Sequence, residues 1–179
     1  KTSTLTLEWF RVIMAGFIWE VPIIDLITII AISESFSSIK KAIDKTDSVL
    51  LTNIPKLFKE GSIEDTYVIA RYTMYDNFLE GLLFYNTFCD VMNESNNLAD
   101  IEKWCVTNKV KYDDMMKMTE RRDDIINDLL IVGINPFWVG KYELSAKTPD
   151  DLCFETIRRY KKCLYDGFRL NVLKYNNKK

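Results

Sequence analysis

The chain has 179 residues, a formal net charge of −2, 47% hydrophobic and 28% charged residues. That composition excludes general disorder and fits one domain that can bury its own core without staples. There is no histidine, which excludes Ser-His and Cys-His catalysis, His-ligated metal sites and His-based pH switching.

In chain order, the start at Lys1 leads us to expect a piece of something larger, and no apolar signal segment follows it. Thr6 is a suitable N-cap for a first helix, in which Trp9, Phe10, Ile13, Phe17 and Ile18 recur at helical spacing. Pro22 interrupts, and Ile23 to Phe36 reads as a second helix, apolar on almost every side and therefore central. The apolar stretch Trp9 to Ile32 carries Arg11, Glu20, Pro22 and Asp25, too much charge for a membrane span. Ser33 to Ser48 is polar and loop-like. Residues 49–75 hold two short apolar stretches around Pro55 and Gly61. Asp76 to Met92 predicts a helix with Phe78, Leu79, Leu82, Leu83 and Phe88 inward.

The polar run Asn93 to Asn97 is a turn, and a short helix from Leu98 to Val106 carries Trp104 and Cys105, both expected to point inward. A long helix from Asp113 to Val132 shows a stripe of Met115, Met118, Arg122, Ile125, Ile126 and Leu129, with Gly133 as its C′ residue and Pro136 blocking continuation. Residues 135–147 form an aromatic loop with Phe137, Trp138 and Tyr142. The last helix has Thr148 as N-cap, Pro149 at N1, Asp150 and Asp151 at its positive end, and runs to about Tyr175. The fold class is thus all-α, a helical bundle of about six to seven helices. We read one domain over residues 1–179, whose halves would divide near residues 37–75 if they are subdomains.

Chemistry-bearing motifs are scarce. There is no phosphate loop, no dinucleotide fingerprint and no nucleophile elbow. Cys89, Cys105, Cys153 and Cys163 lack paired spacing, so buried reduced thiols are expected. Adjacent acids such as Asp113-Asp114 and Asp123-Asp124 point about 100° apart on a helix and suit a solvated face. We therefore expect no catalytic residue and no metal site in this chain.

Charge is unevenly spread. Residues 60–102 carry nine acids against one base, and residues 156–179 eight bases against one acid. The candidate nucleic-acid contacts are Arg121 and Arg122 on the long helix and Arg158, Arg159, Lys161 and Lys162 on the last one, where Tyr160 is interleaved. Bases for phosphates and a flat ring for a nucleobase are what a strand requires. The competing reading is a solvated helix face with pairs such as Glu155 with Arg159. On these residues alone both readings stay open.

The order of motifs adds a resemblance. Leu7 to Gly16, followed by Ile23 to Ala31 with its Leu26-Ile27-Thr28-Ile29-Ile30-Ala31 core, resembles the start of the ratchet-like helicase-associated domain of DEAH-box helicases. Asp76 to Phe88 is similar to that family's D-H-x-x-x-L helix, Trp104-Cys105 to its W-C dipeptide, Tyr112 and Met115 to its Y-x-x-L, and Arg122 to the arginine of its R-x-Q-L. Ile157-Arg158-Arg159 through Asp166-Gly167-Phe168 resembles the family's last helix before an oligonucleotide-binding barrel. Departures are Asn77 for the family's His, Asp124 for its Gln, and a poorly matching segment 37–75. With its Lys, Asn and Ile richness, the chain looks like the helicases of large DNA viruses, of the African swine fever virus or giant-virus kind.

The resemblance implies a non-catalytic accessory domain of an ATP-dependent helicase. ATP and Mg²⁺ would belong to motor domains elsewhere in the parent chain, with no cofactor in this piece. The domain would form one wall of a channel for single-stranded nucleic acid and couple motor closure to translocation. Implied partners are a single strand, weakly held by this piece alone, and the motor domains, with no membrane. The implied location is the cytoplasm, or host cytoplasm or virion for a viral protein. A different class, a helical protein-interaction or virion module contacting through loop 135–142, remains the alternative.

Overall fold

The computed structural model describes residues 5–35, 66–143 and 154–176. Six helices account for most of them: α1 Leu7–Trp19, α2 Ile23–Glu34, α3 Thr66–Glu94, α4 Leu98–Thr107, α5 Tyr112–Ile131 and α6 Phe154–Asn176. No strand occurs among the described residues, and no helix among them is long and apolar enough to cross a membrane. The expected start of the last helix, Thr148 to Asp151, lies outside the described residues, as do Cys153, the stretches around Pro55 and Gly61, and most of the proposed divide at 37–75.

Local sequence explains the helix ends. Thr6 accepts a hydrogen bond from the Trp9 N–H at 3.3 Å and starts α1. Asn97 accepts from the Asp100 N–H at 2.9 Å and starts α4. Gly133 takes φ 82° just beyond α5, as the C′ reading expects. One boundary differs from the sequence reading. α3 begins at Thr66, well before Asp76, because no Pro or Gly interrupts the chain between Gly61 and Gly81.

α2 is the centre of the bundle. Ile23, Leu26, Ile27, Ile29, Ile30 and Ile32 are all fully buried, and α1, α3 and α5 pack around them. Burying one such side chain contributes about 1.5–3 kcal/mol, so this helix anchors the fold. α3 brings Leu79, Leu82, Leu83 and Phe88 to the core, and α5 brings Met115, Met118, Ile125 and Leu129. α1 lies along α6. Gly167 permits this approach, since a Cβ there would overlap Val12 and stand 2.7 Å from the Glu8 carbonyl oxygen.

Two inward expectations are corrected. In α1, Ile13 is buried but Phe10 and Ile18 face outward, because α6 packs on the Glu8 and Val12 side and α2 on the Gly16 side of that helix. Trp104 is only half-buried, its ring lying against Phe84 and Phe88 at 5.5 and 5.8 Å between centroids, while Cys105 is buried.

Candidate nucleic-acid interface

The six basic candidates occupy five different environments. Arg121, on α5, donates from Nε to Glu34 Oε2 at 2.8 Å and ties α5 to the end of α2. Its neighbour Arg122 turns about 100° away, into the stripe of Met118 and Ile125. There its guanidinium lies 5.5 Å from the Tyr85 ring centroid, and its Nε is buried without a hydrogen-bond partner. The Tyr85 hydroxyl is paired with Thr119 Oγ1 at 2.6 Å.

Arg122 also acts electrostatically on Asp25. That carboxyl is buried in α2, accepts a hydrogen bond from the Tyr160 hydroxyl, and has its pKa raised to about 6. Burial is the main cause, and Glu143 adds to it, whereas Tyr160 and Arg122 oppose it. Tyr160 is itself fully buried. It therefore does not serve as the interleaved ring for a nucleobase that its place among Arg158 to Lys162 suggested.

On α6, Arg159 is built into the fold. Its Nη1 donates to the Trp19 carbonyl at 2.9 Å, its Nε to Glu155 at 3.0 Å, and its guanidinium stacks 3.7 Å from the Tyr142 ring centroid. A cation on the last carbonyls of α1 satisfies an orphan acceptor and suits the helix dipole. The same corner is closed by Trp19 Nε1 donating to Asp166 at 2.9 Å and by the Tyr142 N–H donating to the Glu20 carbonyl at 2.9 Å. Lys161 is only 9% exposed and points away from the outer face.

What remains outward on α6 is Arg158, paired with Glu155 at 3.0 Å, and the half-exposed Lys162. The two arginines, Arg158 first, hold the Glu155 carboxyl below the ordinary carboxylate range. Tyr165, 44% exposed, lies one turn on, its ring centroid 5.8 Å from Lys162 Nζ. Arg158, Lys162 and Tyr165 follow i, i+4, i+7 spacing and share one face. Tyr165 was missed because it stands outside the dense Arg158–Lys162 run. The helical period would have found it, since Tyr160, Cys163, Leu164 and Gly167 trace the buried side.

Other chemistry is sparse among the described residues. No cluster of acids and thiols able to hold a metal occurs there. Cys89, Cys105 and Cys163 are free thiols, and burial pushes all three above the usual thiol range, which makes them poor nucleophiles.

No family model matches the chain, and no solved structure matches it. The chain is similar over nearly all its length to proteins of African swine fever virus named "Putative RNA Helicase B962L". Against the one from a South African tick isolate it is 29% identical over 192 residues, covering 98% of this chain and 19% of the relative. Against the one from a Kenyan pig isolate it is 28% identical over 195 residues, covering 100% of this chain and 20% of the relative. The chain thus spans about a fifth of the length of the curated relatives it matches.

Proposed function

We propose that this chain is a non-catalytic accessory domain of a DEAH-type, ATP-dependent helicase, in which it forms part of the single-strand channel and couples motor closure to translocation. The observation that carries this reading is the full-length similarity to proteins named as RNA helicases that are about five times as long. The ordered family motifs and the all-α bundle support it. ATP and Mg²⁺ are assigned to the remainder of the parent, so the chain alone hydrolyses no ATP.

The strand contact is assigned to the outer face of α6. Arg158 and Lys162 supply charge for successive phosphates, and Tyr165 supplies a ring on which a base stacks without being read. Arg121, Arg122, Arg159 and Lys161 are assigned to holding the bundle. In the parent protein, combined Arg158→Glu and Lys162→Glu substitution lowers single-strand affinity. It also reduces the salt slope by about 1.4, at about 0.7 for each phosphate that is no longer neutralised. ATP hydrolysis in the absence of nucleic acid stays unchanged. Wild-type affinity of the double variant at low salt would show that this face is merely solvated.

A further inference from the structure

The two cations of the outer α6 face are not equally available. Arg158 donates from Nε to Glu155 Oε2 at 3.0 Å and from Nη2 to Glu155 Oε1 at 3.1 Å. The carboxylate thus takes one whole edge of the guanidinium fork, in the bidentate geometry that also suits a phosphate. A phosphate has to displace Glu155 from that edge, or enter at the free Nη1 beside a group of its own charge. Lys162 has the Tyr165 ring beside it and no ion-pair partner among the described residues. Asp166, one turn on, accepts from Trp19 Nε1.

Glu155 is also anchored on its other side. Its Oε1 accepts from Arg159 Nε at 3.0 Å, and Arg159 is itself fixed by the Trp19 carbonyl and the Tyr142 ring. A carboxylate held by one arginine can release the other without being left unpaired. The pair with Arg158 lies in water, with side chains 46% and 38% exposed, so it opens at little cost. We propose that Glu155 is a positioning residue of the strand face, an internal carboxylate that competes with the strand's phosphate for Arg158 and keeps that contact breakable. This rests on the helicase reading. When a phosphate arrives, Arg158 turns to it and Glu155 stays on Arg159. When the strand moves on, Glu155 takes Arg158 back. A strand that advances has to shed each phosphate contact, and a partner waiting beside the cation lowers the cost of shedding it, because the donors are never left unmade. Lys162 has no such competitor and supplies the steadier hold.

The test uses the full-length parent and a labelled single-stranded oligouridylate at low salt, where exposed charges are least screened. Glu155→Gln removes the charge and keeps an acceptor for Arg159. It is expected to bind the strand about threefold tighter, the size that an exposed ion pair sets, mainly through slower dissociation. In an Arg158→Ala background the same substitution should bring no gain, because the competition is for Arg158. Wild-type affinity of Glu155→Gln, with or without a lower melting temperature, would overturn the proposal and leave Glu155 as a structural partner of Arg159. Weaker binding would overturn it too, since Glu155 would then aim Arg158 at the strand rather than compete for it. So would a gain that persists in the Arg158→Ala background, which would reduce Glu155 to a general repulsion of phosphates. Failure of the strand-face reading shows separately, as wild-type affinity of the Arg158→Glu, Lys162→Glu double variant.

Discussion

Arg121-Arg122 on α5 and Arg158-Arg159 on α6 are the same dipeptide on two helices, and their surroundings separate them. In each pair one arginine turns inward and supports the fold: Arg122 over Tyr85, Arg159 on the last carbonyls of α1. In each pair the other makes an ion pair, Arg121 with Glu34 and Arg158 with Glu155. The difference lies in what continues along the outer face. On α5 a single exposed base, Lys117, is outnumbered by Glu120, Asp123 and Asp124, and on α6 it is Lys162 and Tyr165. A dense run of bases is therefore a poor guide to a strand contact, and the helical neighbours one and two turns away decide.

The comparison breaks most sharply at Arg159. Arg159→Ala removes the cap on Trp19, the stack on Tyr142 and a partner of Glu155, and should cost about 3 kcal/mol in urea denaturation, most of it from the orphaned carbonyl. Arg159→Lys should recover little, because an ammonium cannot stack as a plane. A neutral effect would place Arg159 with Arg158 as a surface residue.

Asp25 gives the next largest effect, and it depends on pH. Its folded pKa of about 6 lies above the ordinary value of 3.8. Below the ordinary value the carboxyl is neutral in both states and costs nothing. As pH rises through about 6 the folded state must bury a charge, so stability is lost across that window. Asp25→Asn keeps an acceptor for Tyr160 and stays neutral. It should stabilise the protein by about 2–3 kcal/mol at pH 8, and most of the advantage should vanish by pH 4. An equal difference at both pH values would show that Asp25 does not titrate in this window.

Arg122→Ala should cost about 1–2 kcal/mol, through poorer packing on Tyr85 and a more costly Asp25 charge. The smallest effect on stability belongs to Arg158→Ala, below about 0.5 kcal/mol, as expected of an exposed i,i+3 pair. If Arg158→Ala destabilised as much as Arg122→Ala, the contrast between inner and outer arginines would fail.

Much of the architecture could be read from periodicity. Leu79, Leu82, Leu83 and Phe88 on α3, and Met115, Met118, Ile125 and Leu129 on α5, are buried as their spacing predicts. α2 is central as its all-round apolar character requires. Trp104 and Phe10 were harder, because a helix pattern shows which residues share a side but not how much of that side a neighbour covers. The basic candidates were hardest. What separates Arg159 from Arg158 is a carbonyl at Trp19 and a ring at Tyr142, partners across long stretches of chain that no local window contains. Tyr165 was legible in principle, from the phase of α6 alone.

The corner between α1 and α2 has a consequence for biosynthesis. Its closing bonds, from Arg159 to Trp19 and from Trp19 to Asp166, join residues 140 and 147 positions apart. A ribosome delivers α1 and α2 first, yet the last carbonyls of α1 gain their cation only when α6 emerges. Glu20, in a left-handed conformation at φ 59°, has no loop holding it until residues 140–142 arrive. The isoleucine-rich α2, which α1, α3 and α5 surround, also waits, partly uncovered, until α5 has been translated. Such a nascent chain is a natural client for chaperones, and a product truncated before Arg159 should be cleared rather than accumulate as a partial bundle with an open corner.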